Sequence, residues 1–240
     1  MSSFLKEAIT LFRNKVKLLV IDDDSHARAS LTDLFSSPLF SVSTTASLDE
    51  AYTIVGTTPE NWHCWIVDID LAKGQSGLQL LKRYPNYSFA VVLSGLRSMV
   101  LAGDAIKLGA RSVVDKAPTH IDRLVNDVCK TAALGYVLGG KPTPQLDIFL
   151  SLQDDSVTSI EIWAERLNIP VRQLYRICEI YPPLTPHYAL ALYRSIYCLL
   201  QVNPGELDDM GENSGLRPDL SPQELYYSSI EYIIRKLNNK

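Results

Sequence analysis

The sequence predicts an α/β fold: a doubly wound, five-stranded parallel sheet followed by a smaller all-α domain. Three observations predict it. Short apolar runs alternate with helical stretches across residues 15–135. Four of those runs lead directly into a polar or charged residue, and past residue 145 the strand signal stops while helical spacing continues. Apolar runs without alternation read as strands buried on both faces, which belong to parallel sheets covered by helices.

The elements follow in order. An amphipathic helix is expected over 1–14, with Phe4, Ile9, Leu11 and Phe12 among charges. Strand 17–21 leads to a helix near 25–36, where Ala27, Leu31, Leu34 and Phe35 share one face. Asp24 or Ser25 has the chemistry of its N-cap. Strand 40–44 precedes a helix opened by Ser47, with Glu50 three residues on as a capping box. Strand 64–67, helix 77–83, strand 90–93, helix 97–108 closed by Gly109, strand 111–114 and a helix from Thr119 complete the unit. In that last helix Ile121, Leu124, Val125, Val128 and Cys129 form an i, i+3, i+4, i+7, i+8 stripe. Parallel strands joined by right-handed crossovers need helices on both sheet faces.

From Leu138 to Gln145 the pattern breaks into Gly and Pro, as in a linker. Beyond it, helices are expected at 146–153, 159–167, 171–180, 186–201 and 222–238, with a polar loop over 203–221. The expected organisation is a helix over 1–14, an α/β domain over 15–137, a linker over 138–157 and a helical output domain over 158–240.

Composition narrows the classes. The 240 residues are 46% hydrophobic and 21% charged, with a formal charge of −4, which describes a globular chain. No stretch approaches the roughly 20 apolar residues of a membrane helix. The opening Met1-Ser-Ser-Phe-Leu-Lys-Glu7 lacks a signal-peptide core, so the expected location is cytoplasmic. Cys64, Cys129, Cys178 and Cys198 are scattered without Cys-x-x-Cys spacing and read as buried thiols rather than a zinc or disulfide framework. Residues 1–139 carry 14 Lys/Arg and 14 Asp/Glu, while 140–240 carry 9 and 13, so neither part is strongly basic.

Strand ends of an open α/β sheet line its ligand crevice. Asp22 and Asp23 follow the first strand, Asp68 the third, Ser94 the fourth and Lys116 the fifth. Three carboxylates at one edge repel one another unless a cation is present, and hard oxygen ligands suit Mg²⁺. One carboxylate can then act as a nucleophile toward phosphorus while a lysine and a hydroxyl hold the phosphoryl oxygens, giving an aspartyl phosphate.

Leu18-Leu-Val-Ile-Asp-Asp-Asp24, Val67-Asp-Ile-Asp-Leu71 with Ser76-Gly-Leu-Gln-Leu-Leu81, Val92-Leu-Ser94 and Gly109-Ala-Arg-Ser-Val-Val-Asp-Lys116 resemble the receiver domain of two-component response regulators. The resemblance covers residues 15–135 and implies a flavodoxin-like receiver. It implies Asp68 as phosphoacceptor and Asp23 and Asp68 as Mg²⁺ ligands. Asp22 would act through water and Asp70 through its backbone carbonyl, while Ser94 and Lys116 would bind the phosphoryl group. It further implies a sensor histidine kinase or phosphotransfer protein as donor, and no enzyme activity beyond slow autodephosphorylation. Three positions depart from the family pattern. Val113 stands where an aromatic switch residue is usual, the loop after Asp68 is longer before Gly77, and Lys116 is followed by Ala117-Pro118. Asp68-x-Asp70 also fits haloacid-dehalogenase phosphatases, but these place the nucleophile on the first strand, whereas Asp22-Asp23 precede it here.

Residues 158–180 have helix-turn-helix spacing. Ile162, Ala164 and Leu167 form one apolar face, Asn168 suits a left-handed turn and Pro170 suits the start of the second helix. With Leu184-Thr-Pro-His-Tyr188 and Leu192-Tyr-Arg194, the segment is similar to part of an AraC-family DNA-binding domain. Arg172, Gln173, Tyr175 and Arg176 would then read or clamp DNA. The second helix-turn-helix of that family is absent from 201–240, which holds 7 Asp/Glu against 4 Lys/Arg. The overall expectation is a phosphorelay response regulator that controls transcription. The alternative is a signalling adaptor whose helices bind protein, or dimerise through Ile230, Ile233 and Leu237.

Overall fold

The structure is a computed structural model that describes residues 15–37, 39–87, 89–95, 99–141, 143–180 and 185–201. The helices expected at 1–14 and 222–238 and the loop over 203–221 lie outside these residues.

Five parallel strands form one sheet: β1 (Val16–Ile21), β2 (Phe40–Thr45), β3 (Cys64–Asp68), β4 (Ala90–Ser94) and β5 (Ser112–Asp115), in the order β2-β1-β3-β4-β5. The helices between and after them are α1 (Ser25–Leu34), α2 (Leu48–Val55), α3 (Leu78–Arg83), α4 (Met99–Lys107) and α5 (Ile121–Val137). The β1–α1–β2 crossover moves toward one sheet edge, and the next three all move toward the other. Right-handed connections therefore place α1 on one face and α2, α3 and α4 on the opposite face. Helix α5 returns to the α1 side, since Leu31 and Leu34 of α1 and Ile121 and Leu124 of α5 line one cavity. The interior strands β1, β3 and β4 are buried almost throughout, as their unbroken apolar runs require. The edge strands β2 and β5 are only half-buried.

Helix starts follow from the caps. Asp24, not Ser25, caps α1, accepting from the His26 amide at 2.8 Å. Ser47 caps α2 through the Glu50 amide at 3.3 Å, while Glu50 Oε2 accepts from the Ala46 amide at 2.8 Å. The acid of this capping box thus reaches one residue beyond the cap.

The rest of the described chain is helical: α6 (Leu146–Leu150), α7 (Ile160–Arg166), α8 (Val171–Ile180) and α9 (Pro186–Gln201). Trp163 is its buried centre, its indole N–H donating to Ser151 Oγ at 2.8 Å and the ring lying edge-on to Phe149. The phase of α7 differs from the sequence expectation. Ile160, Trp163 and Ala164 face inward, whereas Ile162 is 36% exposed. Asn168 takes φ +53° at the turn into α8, as its position predicts.

These helices are built onto α5. Thr131, Ala132, Ala133 and Leu134 are all buried, and four consecutive residues span the helix circumference, so α5 is covered on every side there. Tyr197 of α9 donates to Asn126 Oδ1 at 2.7 Å, and Lys130 Nζ bonds Asp155 at 2.8 Å and the Gln153 carbonyl at 3.0 Å. The Gly/Pro stretch after α5 does break the helix, with Gly139 and Gly140 at positive φ. It lies packed against the α/β layer: a Cβ on Gly140 would collide with the carbonyl oxygens of Glu60 and Trp62.

At the same end Gly135 lets α5 approach β3, because a Cβ there would overlap the His63 carbonyl. His63 Nδ1 accepts from the Lys17 amide at 2.9 Å and its ring rests on Tyr136. Burial, helped by the nearby Lys17 charge, lowers the imidazole pKa to about 4 from 6.5. The folded state therefore holds His63 neutral while the unfolded chain takes up the proton. This contribution to stability is complete above pH 6.5 and fades as pH falls toward 4. It amounts to about 3 kcal/mol at most. Urea unfolding followed from neutral pH to near pH 4 should show a shallower loss of stability in His63→Gln than in the parent. Parallel curves would mean that His63 is already protonated in the fold.

Candidate functional site

The carboxyl edge of the sheet gathers the predicted residues. Register aligns Ile21 with Val67, Asp68 with Leu93 and Ser94 with Asp115, so the residues at these strand ends meet at one level. Asp22 is 0% exposed, Asp68 4% and Ser94 9%, whereas Asp23 is open to solvent. Carboxylate oxygens of Asp22, Asp23 and Asp68 all lie within 4.8 Å of one another. Lys116 Nζ stands 2.8 Å from Asp22 Oδ2 and 2.7 Å from Asp68 Oδ2, bridging the two buried acids.

The backbone fixes this arrangement. Asp22 donates its amide to the Thr45 carbonyl at 3.2 Å and accepts from the Asp24 amide on Oδ1 at 2.9 Å. The Lys116 amide donates to the Ser94 carbonyl at 2.9 Å, tying the loop after β5 to the end of β4. Ser94 Oγ donates to the Gly95 carbonyl at 3.0 Å. Burial raises the Asp68 pKa above the usual aspartate value, with Lys116 opposing through its hydrogen bond and charge. For Lys116, burial works to lower the pKa, but the hydrogen bonds to Asp22 and Asp68 outweigh it and the net shift is upward.

After Asp68 the chain forms a small hairpin, Asp70–Leu71 against Gln75–Ser76, around a turn with Gly74 at φ +72°. Asp70 is exposed at its base, and its amide lies 3.3 Å from Asp68 Oδ1. The predicted acids, hydroxyl and lysine thus come together. Arg172, Gln173 and Arg176 lie elsewhere, exposed on α8, and Tyr175 is half-buried with its ring against His187. Exposed Glu179 accompanies the arginines on α8.

The supporting roles of two residues escaped the sequence reading. Arg28 Nη1 donates to the Asp22 carbonyl at 2.6 Å, and the signal for it was a cation in the first turn of the helix after the acid pair. Gly77 is the second. A Cβ there would overlap the Asp68 carbonyl oxygen and stand 2.6 Å from Val67 Cγ1. Gly77→Ala should therefore cost about 1–3 kcal/mol by overpacking and move the Asp68 backbone. A lowered urea midpoint checks it, and an unchanged midpoint would show that the hairpin yields freely.

The fold and site can be set beside known proteins. Residues 18–128 match the response regulator receiver domain family. Among solved structures, a Francisella response regulator receiver domain is 24% identical, covering 48% of this chain and 95% of that one, with TM-score 0.42. A receiver domain protein from Clostridium thermocellum is 26% identical, covering 48% and 93%, with TM-score 0.43. A response regulator from Burkholderia pseudomallei, solved with a phosphorylated aspartic acid, calcium ion and citrate, is 23% identical, covering 68% and 98%, with TM-score 0.43. No curated protein matches the sequence. Among the described residues no helix is long and apolar enough to cross a membrane. The matched residues include every member of the acidic edge from Asp22 to Lys116, and the family model that they match is that of response regulator receiver domains, the phosphoryl-accepting units of two-component signalling.

Proposed function

We propose that Asp68 accepts a phosphoryl group from a sensor histidine kinase or phosphotransfer protein, and that the helices built on α5 turn this into control of transcription. The observation that carries the first part is Lys116 bridging two buried carboxylates within one cluster of three. An Asp68 carboxylate oxygen would attack phosphorus as the phosphorus–nitrogen bond of a phosphohistidine breaks. The imidazole leaves with the electron pair and the aspartate becomes an acyl phosphate. Lys116, released from the Asp68 carboxylate, and the Ser94 hydroxyl would bind the new phosphoryl oxygens. The three acids fit a hard divalent cation by donor type and spacing. Asp23 and Asp68, with the Asp70 carbonyl and with Asp22 through water, would hold Mg²⁺. The ion would neutralise charge on the transferring group.

For the output, α7, the Asn168 turn and α8 supply a helix-turn-helix. Exposed Arg172, Gln173 and Arg176 lie within about 100° of arc on α8, an arrangement suited to base edges and phosphates. Tyr175, with its ring on His187, would support that helix rather than enter a groove. The adaptor reading draws on Ile162 and Val171, both exposed near the same turn.

Acetyl phosphate with Mg²⁺ should yield a phosphoprotein, and Asp68→Asn should abolish the label. Label that persists in the variant would move the acceptor to another acid. On mixed duplex DNA, fluorescence anisotropy should show affinity that falls with salt. Arg172→Ala with Arg176→Ala should weaken it by at least about tenfold and flatten the salt slope by about two phosphate contacts. Affinity that ignores both salt and the two arginines would favour the adaptor.

A further inference from the structure

We propose that Arg28 is a positioning residue of the acidic edge. By holding the Asp22 carbonyl it fixes the peptide from which Asp23 hangs, and so sets how tightly Asp23 and Asp68 together hold Mg²⁺. This role rests on the receiver chemistry proposed above and adds to it a side chain that touches neither the cation nor the reacting atoms.

Asp22 has every polar atom engaged. Its amide donates to the Thr45 carbonyl at 3.2 Å, Oδ1 accepts from the Asp24 amide at 2.9 Å, Oδ2 accepts from Lys116 Nζ at 2.8 Å, and the carbonyl accepts from Arg28 Nη1 at 2.6 Å. Asp23 is the opposite case. Its carboxylate is exposed and accepts no hydrogen bond among the described residues, so its aim comes from the backbone. That backbone begins with the Asp22 carbonyl. A peptide group is planar, so a carbonyl held in direction also fixes the Asp23 amide and Cα in the same plane. Arg28 thus governs the place of an acid with which it forms no ion pair.

The contact is built into the start of α1. Arg28 is half-buried, and its own amide donates to the Asp24 carbonyl at 3.0 Å, which roots the side chain on the turn that follows the acids. A cation there is opposed by the positive end of the helix dipole, and no acid follows the Asp24 cap within that turn. The position costs the helix, and the compensation lies in the short, charge-assisted bond to Asp22. Because the guanidinium is positive, its charge works against a divalent cation nearby while its hold on the backbone works for one. The two contributions have opposite signs, so removing Arg28 tells them apart.

Arg28→Met in the full chain keeps the apolar stem and removes the charge and the donors. Isothermal titration calorimetry with Mg²⁺ should show affinity about tenfold weaker than the parent's, the factor that one charged hydrogen bond is worth. With acetyl phosphate as donor, the Mg²⁺ concentration giving half the maximal labelling rate should rise about tenfold, while the rate at saturating Mg²⁺ stays within about twofold of the parent's. Arg28→Lys restores a charged donor and should recover the parent's Mg²⁺ affinity to within about threefold. Binding that is unchanged or tighter in Arg28→Met would leave Arg28 as a charge alone and overturn the proposal. A slower rate at saturating Mg²⁺ would also overturn it, by placing Arg28 on the phosphoryl group if binding is unchanged, or by marking a general structural loss if binding and the urea midpoint fall too. So would a lysine that recovers nothing. A parent chain that binds no Mg²⁺ would instead defeat the receiver chemistry on which the role depends.

Discussion

Two carboxylates taken out of water at one sheet edge cannot both stay ionised without a cation between them. Asp22 and Asp68 are in that position, and Lys116 is the cation. Desolvation of each charge costs several kcal/mol, so the arrangement holds only with tight geometry and with further hydrogen bonds to the remaining lone pairs. Each condition is met by a different piece of chain. The Asp24 amide satisfies Asp22, the Asp70 amide approaches Asp68, and the Lys116 amide is fixed to Ser94. The lysine therefore joins the ends of three strands that are far apart in sequence, and the order β2-β1-β3-β4-β5 is what brings them close enough. The same charge arrangement serves chemistry. A lysine already held between two acids needs only a small movement to meet an oxygen placed on either one.

The second constraint is the double duty of α5. A helix beside a parallel sheet ordinarily keeps one face in water, yet the middle of α5 has none. Its composition permits this, since Thr131, Ala132, Ala133 and Gly135 are small enough for backbone to approach from both sides. Gly135 admits the β3 side and Gly140 admits the loop before it, so the end of α5 and its following turn are locked to the sheet layer. On the far side α9 is fastened by Tyr197 to Asn126, and Lys130 reaches the loop ahead of α7. Lys130 also lies over the Tyr197 ring at 5.6 Å, so one long side chain spans both attachments. The helical part thus meets the sheet domain through packed surface rather than through a free tether.

Much of this was legible in the residues. Buried strands announce themselves as unbroken apolar runs, and the acids, serine and lysine at their ends meet because strand ends of a parallel sheet share one edge. Caps at Asp24 and Ser47 fixed helix starts from local chemistry. Other features carry no such signal. The hairpin after Asp68 has two-residue strands, too short for any period, and the need for Gly77 arises from the Asp68 carbonyl, seen only once the loop closes. In α7 the apolar residues are dense enough that two phases fit. The indole of Trp163, with its bond to Ser151, decides the phase and turns Ile162 outward. Gly and Pro after Leu138 correctly marked the end of a helix, but composition says nothing about where the broken chain then lies.

Val113 bears on how the two parts communicate. A β-branched valine has one stiff torsion and no ring to swing between an inward and an outward position, so β5 lacks the movable side chain that the family commonly places there. Lys116, however, is followed at once by the Pro118–His120 turn, and that turn runs directly into α5. A packed route from the acidic edge to the helices runs from Lys116 through four residues to α5, and from α5 across Asn126 and Lys130 to α9 and the loop ahead of α7. Along this route Arg123 reaches back to the Val113 carbonyl, so even the strand lacking its ring is held to the start of α5. A packed interior does not deform smoothly. A change in the partners of Lys116 must be absorbed within the turn or carried into α5, and a covered α5 cannot shift without α9.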